Sequence, residues 1–193
     1  MSITLTLFFN SIRGPLFSGA LGVDQVSGIN AILSAWESIL PNTDERWLSY
    51  VLATTYHETN KMMKPIREYG LGRGRTYGIA DPITHQIYYG RGFPQLTWKI
   101  NYRKMGEKLG IDMVSNPDLM LSPAVSAKVM LIGMRDGDFT GKSLADYFNG
   151  EESDPVNARR IINGTDCAAQ IAGYYSHFLA ALDAATPISQ VIT

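Results

Sequence analysis

The chain has 193 residues, of which 45% are hydrophobic and 18% charged, and its 17 basic and 18 acidic side chains give a formal net charge of −1. This apolar fraction is too high for a disordered chain and is sufficient for the core of one domain over residues 1–193. No run of 18 apolar residues occurs, which excludes a spanning helix. The single cysteine, Cys167, cannot form an intrachain disulfide, so nothing in the sequence requires an oxidising compartment.

The first third of the chain shows helical periodicity. Residues 1–9 are apolar, but no positive charge precedes them, so they predict a buried start and not a signal peptide. Apolar side chains three and four residues apart predict a helix over residues 24–40 and a second over residues 44–62, with Thr43 or Asp44 as its cap.

The middle of the chain has a different composition. Residues 69–92 contain six glycines and several aromatic side chains without a helical period. This pattern predicts a long loop region with room for one short hairpin. A loop of this length inside a compact domain is usually functional.

Helical periodicity returns after the middle. Three further helices are predicted, over residues 122–133 or beyond, 156–162 and 167–182. Ser122-Pro123 favours the first of them, because a capping hydroxyl is followed by proline at the first helical position. The tail at residues 185–193 is expected to be poorly ordered. The sequence therefore predicts a mainly α-helical fold of two lobes, with an irregular Gly-rich centre and a cleft between the lobes.

The charges are unevenly distributed along the chain. Residues 61–108 contain ten basic and three acidic side chains, a net charge of +7, whereas residues 1–60 sum to −3 and residues 109–193 to −5. Such a block is typical of a surface that binds an anionic partner. Nucleic acid, an acidic polysaccharide, peptidoglycan and a solvated face without a partner all remain open at this point.

Metal-binding patterns are incomplete. His57-Glu58 begins the zinc pattern HExxH, but Lys61 stands where the second histidine is required. Residues 136–141 fit the first half of a calcium loop, but Tyr147 replaces the glutamate at its twelfth position. The sequence therefore predicts neither a metal site nor a cofactor.

Two carboxylates remain as candidates for chemistry. Glu58 lies late on the predicted helix 44–62, on a largely apolar stripe, where desolvation favours a protonated general acid. Glu68 follows in the loop beside Arg67, where it should stay ionised and suit a base that activates water. Two carboxylates in unlike environments are typical of glycoside hydrolysis. The alternative is a helix-surface glutamate and a loop salt bridge.

Four stretches of the chain occur in an order that resembles a known enzyme family. They are His57-Glu58-Thr59-Asn60, Arg67-Glu68, the fifteen residues 88–102, and Ile161-Ile162-Asn163-Gly164. Together they resemble glycoside hydrolase family 19, the chitinase-like enzymes, and most of all its phage endolysin branch. Residues 116–119 and 137–142 are also similar to the endolysins, and the resemblance extends from about residue 8 to residue 182. It implies a lysozyme-like, two-lobed helical fold.

The resemblance also implies roles for individual residues. Glu58 corresponds to the family's general acid, Glu68 to its general base, and Thr97 to the hydroxyl that holds the attacking water. Six residues are implied as substrate-binding: His57, Arg67, Tyr89, Gln95, Asn101 and Asn163. Trp98 is open between stacking on a sugar ring and packing in the core. Plant members of the family have longer insertions and several disulfides, which this chain lacks, so Glu68 is assigned less directly than Glu58.

The function implied is that of a phage-type endolysin. Such an enzyme cleaves β-1,4 bonds of peptidoglycan as an N-acetylmuramidase, with inversion and with carboxyl groups roughly 6.5–9.5 Å apart. We favour peptidoglycan over neutral chitin because of the +7 block. A chitinase, a lytic transglycosylase that needs only Glu58, and a non-catalytic peptidoglycan-binding module remain alternatives. A nucleic-acid binder would leave the carboxylates unexplained.

The same interpretation gives expectations for the cellular context. A wall-degrading enzyme without a signal peptide would accumulate in the host cytoplasm and reach the periplasm through a separate holin-type pore. We expect a monomer that binds glycan strands of peptidoglycan, does not bind nucleic acid, and does not associate stably with a membrane.

Overall fold

The structure is a computed structural model that describes residues 3–186. Its α-helices are α1 (Leu5–Phe17), α2 (Val23–Ile39), α3 (Glu45–Glu58), α4 (Lys99–Leu109), α5 (Pro123–Asp136) and α6 (Ala168–Ala185). Two short antiparallel hairpins pair β1 (Ile66–Arg67) with β2 (Arg91–Gly92) and β3 (Phe148–Asn149) with β4 (Glu152–Ser153). The mainly helical prediction is confirmed.

Helices α2 and α5 form where the sequence predicts them, and both have clear start and stop signals. Helix α5 begins at Pro123 and ends where Gly137 adopts a left-handed conformation. The Ser122 hydroxyl makes no capping hydrogen bond, however, so that detail of the prediction is wrong. Asp44 caps α3 as expected, because its carboxylate accepts the backbone N–H of Arg46.

Helix α3 ends at Glu58, four residues earlier than predicted. The hydroxyl of Thr59 accepts the backbone N–H of Met63 at 3.0 Å and closes a tight turn. Within this turn Asn60 and Lys61 have φ of 48° and 67°. A left-handed backbone cannot continue a right-handed helix. Glu58 is therefore the last residue of its helix.

Helices α1 and α4 were not predicted. The apolar start of the chain is partly buried, as expected, but it folds as a helix whose buried residues include Phe8, Ile12 and Leu16. Their spacing of four residues is itself a helical signal. Helix α4 likewise buries Tyr102 and Met105, three residues apart.

The later part of the chain differs from the prediction at two places. Residues 156–162 contain a 3-10 helix, Asn157–Ile161, instead of an α-helix. Helix α6 continues to Ala185, so the first residue of the predicted tail is helical. Residues 187–193 of that tail lie outside the described residues.

Two separate hydrophobic cores confirm two lobes. The larger core is formed by α1, α2, α3, α5 and α6. The smaller core contains Tyr88, Leu96, Tyr102, Met105, Met113, Met120 and Val129. Helix α5 belongs to both lobes, because Val129 packs in the smaller core and Met130 in the larger one.

Residues 68–90 form the irregular centre that the sequence predicts. They leave β1 and return to β2, with Ile66 opposite Gly92 and Arg67 opposite Arg91. The only regular element between them is the 3-10 turn Thr76–Gly78. Within residues 3–186, no helix has both the length and the apolar character needed to cross a membrane.

Close backbone packing joins α2 to the turn that follows α3. A Cβ atom on Gly28 would lie 1.6 Å from the carbonyl oxygen of Met63. A glycine is therefore needed at this crossing, and the turn directly after Glu58 is held against α2.

We expect Gly28→Ala to lower the free energy of unfolding by about 2 kcal/mol or more, because the added methyl group must displace backbone. Gly173→Ala is the matched control, since Gly173 lies inside α6 with no atom within 4 Å of its Cβ position, and it should stabilise by about 0.5–1 kcal/mol. Thermal unfolding followed by circular dichroism measures both. Equal melting temperatures for the two variants would contradict the close approach.

Candidate active site

Glu58 is held by a buried arginine. Its Oε1 accepts Nη1 of Arg159 at 2.5 Å, and the side chains of Glu58 and Arg159 are 17% and 3% exposed. Arg159 also donates to the backbone carbonyl of Asp166 at 3.1 Å and to its carboxylate at 3.2 Å. The carboxylate of Glu58 therefore has a fixed position and a charged partner that the sequence did not predict.

The 3-10 helix Asn157–Ile161 positions this arginine. The backbone N–H of Asn163 donates to the carbonyl of Arg159 at 3.0 Å, which places Asn163 one turn beyond Arg159, where its side chain is exposed. His57 precedes Glu58 on α3 and is half-buried. Of the predicted site residues, His57 is thus the chain neighbour of Glu58, and Asn163 follows closely the arginine that binds Glu58.

Glu68 is held by a backbone donor. Its Oε2 accepts the N–H of Gly90 at 2.8 Å, and the backbone N–H of Glu68 donates to the carbonyl of Gly90. A Cβ atom on Gly90 would lie 2.7 Å from Oε2 of Glu68. Glycine is therefore required here for the carboxylate to reach the backbone.

Tyr77 is a second neighbour of Glu68. Burial and the negative charge of the nearby Glu68 carboxylate raise the pKa of Tyr77. The Tyr77 ring also makes an edge contact with Trp98, with centroids 5.4 Å apart. Trp98 is 46% exposed, so of the two predicted alternatives for Trp98, packing in the core is wrong.

The segment that carries Thr97 has an unusual backbone. Gln95 and Trp98 have φ of 53° and 69°, in a region that side-chain-bearing residues rarely occupy. The side-chain amide of Gln95 donates to the carbonyls of Ile66 and Gly92, and the amide of Asn101 donates to the carbonyl of Thr97. Gln95 and Asn101 thus stabilise the segment around Thr97, because their side-chain amides donate hydrogen bonds to backbone carbonyls.

A buried cation organises this side of the site. Arg91 is 4% exposed, and its guanidinium lies 3.5 Å from the centre of the Tyr89 ring. It donates to Asp118 at 2.7 Å and to the carbonyls of Ile87 and Tyr89. Tyr89 itself is 8% exposed, and its hydroxyl accepts a hydrogen bond from Arg67.

The alternative of a loop salt bridge at Glu68 is wrong for its neighbour Arg67, which does not pair with it. Neighbouring residues leave an extended strand on opposite sides, and Arg67, the last residue of β1, donates to Asp118 at 2.7 Å instead. Asp118 therefore joins Arg67 on β1 to Arg91 on β2.

The structure divides all nine predicted site residues into two sets. Glu58 with its neighbour His57, and Asn163, lie on the two segments that the Glu58–Arg159 ion pair joins at the larger lobe. The other set surrounds the hairpin of β1 and β2 and comprises Glu68, Arg67, Tyr89, Gln95, Thr97 and Asn101. The predicted separation between the carboxyl groups of Glu58 and Glu68 stays a prediction. The described part of the chain contains no group of three His, Cys, Asp or Glu side chains arranged to hold a metal ion.

Comparison with known proteins matches the middle of the chain to a sequence family. Residues 75–135 match the sequence family described as Chitinase class I, which is glycoside hydrolase family 19. The predicted resemblance to glycoside hydrolase family 19 is confirmed. The matched range contains Thr97, but Glu58 and Glu68 precede it.

Two curated relatives define the extent of this similarity. Chitinase 11 of Oryza sativa subsp. japonica is 58% identical over 89 residues, which are 44% of this chain and 33% of the relative. Inactive chitinase-like protein 1 of Hevea brasiliensis is 39% identical over 67 residues, 34% of this chain and 21% of the relative. The matches thus span a third or less of these relatives, and similarity alone does not establish activity.

A solved structure supports the fold. Chitinase C from Streptomyces griseus HUT6037 superposes with a TM-score of 0.61 at 22% identity, covering 94% of this chain and 76% of that chain. The lysozyme-like fold of family 19 is therefore confirmed for this chain. The endolysin branch stays a prediction.

Three residues that structure the site were not found from the sequence. Arg159 and Asp118 hold charged groups that are distant along the chain, and Tyr77 lies within the irregular centre. The sequence motifs indicated the region of two of them, because Arg159 stands just before the Ile161–Gly164 motif and Asp118 lies inside residues 116–119. Neither motif indicates which residue is the partner.

Asp118 makes the hairpin sensitive to acid. Burial alone would raise the pKa of Asp118, but hydrogen bonds from Arg67 and Arg91 outweigh it and the pKa is lowered. A lowered pKa in the folded state gives stability that is present above the unfolded value of about 4 and is lost as pH falls through the folded value.

We therefore expect Asp118→Asn to lower the melting temperature by a constant amount between pH 7 and pH 5. The difference from wild type should then shrink as the pH falls below about 4. Glu151→Gln, an exposed change at the β3–β4 turn, is the control. A difference that stays constant down to pH 2 would mean that the carboxylate charge is not what stabilises the hairpin.

Proposed function

We propose that the chain is a glycoside hydrolase that cleaves β-1,4 bonds of an N-acetylglucosamine-containing glycan with inversion. The observation that carries this proposal is the pair of fixed carboxylates. Glu58 is held by a side-chain cation from Arg159, and Glu68 by the backbone N–H of Gly90. Both carboxylates are thus held by fixed donors, and the roles of acid for Glu58 and base for Glu68 are those that the resemblance to family 19 implies.

In the proposed reaction Glu58 gives a proton to the glycosidic oxygen as the bond to the anomeric carbon breaks. Glu68 removes a proton from a water molecule, whose oxygen forms the new bond on the opposite face of the ring. The Thr97 hydroxyl orients that water. Each hydrolysis consumes one water and leaves Glu58 deprotonated and Glu68 protonated, so a proton must return from Glu68 to Glu58 through solvent.

Chitin is the substrate that the comparisons favour, because the named relative from rice and the superposed bacterial protein are chitinases. Peptidoglycan is a second candidate, and unpaired arginines in the irregular centre favour it. In that case the chain would act as an endolysin of muramidase type, released from the host cytoplasm through a separate pore. Both polymers present the same β-1,4 linkage to the two carboxylates.

The products distinguish the mechanisms. We expect chitin oligomers to give the α-anomer first, because single displacement inverts the β-linkage, as followed by proton NMR during the reaction. Purified peptidoglycan should give hydrated reducing ends in mass spectrometry. A β-anomer formed first would mean retention, and anhydro ends would assign the chain to the transglycosylases and remove the role of Glu68.

Glutamine variants test the two roles. We expect Glu58→Gln to lower kcat by about 10²- to 10⁴-fold, since general acid catalysis is worth that much, and Glu68→Gln to cost much but less. Glu37→Gln, an exposed change on α2, should retain full activity. Melting temperatures are needed for Glu58→Gln, because Arg159 then keeps only Asp166 as a charged partner.

If Glu58→Gln remains folded and keeps a tenth or more of the wild-type activity, Glu58 is not the acid.

A further inference from the structure

Folding neutralises most of the basic block at residues 61–108. Six of its ten cations form ion pairs, and the carboxylates are mostly supplied by the acidic flanks. The paired cations are Lys64, Arg67, Arg91, Lys99, Lys104 and Lys108. The block is therefore not a continuous cationic face, and the prediction of a binding surface can apply only to the cations that remain.

Within residues 3–186, four cations of the block have no ion-pair partner: Lys61, Arg73, Arg75 and Arg103. All four are exposed. Arg73 and Arg75 are the two that lie along the chain between Glu68, the proposed base, and Tyr77, whose pKa the Glu68 charge raises. Two of the four unpaired cations thus lie on the loop that follows Glu68.

The loop that carries these arginines has a regular course. The backbone N–H of Arg73 donates to the carbonyl of Gly70 at 3.0 Å, and that of Arg75 donates to Gly72 at 2.9 Å. Gly72 is buried and packs directly on Gly78. Consecutive turns therefore fix the backbone while both guanidinium groups stay in solvent.

The loop also borders an apolar groove next to the site. Tyr77, Ile79, Pro82 and Trp98 line this groove, and the charge of Glu68 acts on Tyr77. Arg75 lies close enough to Tyr77 for its charge to act on the pKa of that residue, in the direction that lowers it. A sugar lying against Trp98 would therefore have its substituents close to the cationic loop.

We infer that Arg73 and Arg75 bind carboxylates of the peptides attached to a peptidoglycan strand. The loop would thereby select peptide-bearing glycan over a neutral glycan. Guanidinium groups form paired hydrogen bonds with carboxylates, and neither arginine has a carboxylate partner in the described chain. Neutral chitin offers no anion for them. The inference rests on the proposed glycosidase function, which it extends by naming the substrate class.

The test compares Arg73→Ala/Arg75→Ala with wild type on three substrates. These are peptide-bearing peptidoglycan, the same glycan strands after amidase removal of the peptides, and chitin oligomers. We expect kcat/KM on the peptide-bearing substrate to fall about five- to twentyfold, mainly through KM, which is the range for two exposed ion pairs. Activity on the other two substrates should change less than about twofold.

Arg13→Ala/Lys128→Ala is the matched control. Both residues are exposed, on α1 and α5, and the change removes the same two charges. This variant should match wild type on all three substrates. A loss of equal size with the control variant would show that net charge, and not the loop, is responsible, and would overturn the inference.

Two further outcomes would overturn it. An equal loss on peptide-bearing and peptide-free strands would show that the arginines contact the glycan or maintain the loop. Retention on double-stranded DNA that depends on Arg73 and Arg75 and exceeds retention on peptidoglycan would assign them to a nucleic acid. If the proposed function itself fails, the wild-type protein will release no products from any of the three substrates. Binding by the arginines can then still be tested, by comparing how wild type and Arg73→Ala/Arg75→Ala co-sediment with peptide-bearing strands and with stripped strands.

Discussion

The buried guanidinium of Arg91 is the interaction on which the base side of the site depends. An unpaired buried cation would cost several kcal/mol, so its donors must find partners. They do so in Asp118, the Tyr102 hydroxyl and the carbonyls of Ile87 and Tyr89. These contacts fix the chain on both sides of Gly90, and the N–H of Gly90 holds Glu68. The position of Glu68 thus depends on the guanidinium of Arg91, which has no proposed role in the reaction.

The two carboxylates are held by different lobes, and this division explains the architecture. Glu58 ends a helix of the larger core and is anchored by Arg159, whereas Glu68 follows a strand tied to the smaller core. Helix α5 contributes to both cores, so it fixes one lobe relative to the other. The contact of Gly28 with Met63 adds a second restraint, since it holds the turn that leads from the first carboxylate towards the second.

The sequence predicted what is determined locally and missed what is determined by distant contacts. Helices α2 and α5 have apolar periodicity and end signals within their own residues. The early end of α3 depends on the turn closed by Thr59, which periodicity does not register. The ion pair of Glu58 with Arg159 spans 101 residues. Arg67 and Glu68 are adjacent in the sequence, but they do not share a partner. Arg67 pairs with Asp118, and Glu68 accepts the N–H of Gly90.

The activity of this chain must be argued from the carboxylates themselves. The range that matches family 19 includes Thr97 and lacks both glutamates, and one relative with similar sequence is named as inactive. The family match therefore supports the resemblance to family 19 over the segment that contains Thr97. The chemistry is indicated by two glutamates outside that range, one at the end of α3 and one directly after β1, each with a fixed donor. Selectivity is then a separate matter of the loop after Glu68, because the ion pairs formed on folding leave its arginines among the few free cations of the basic block.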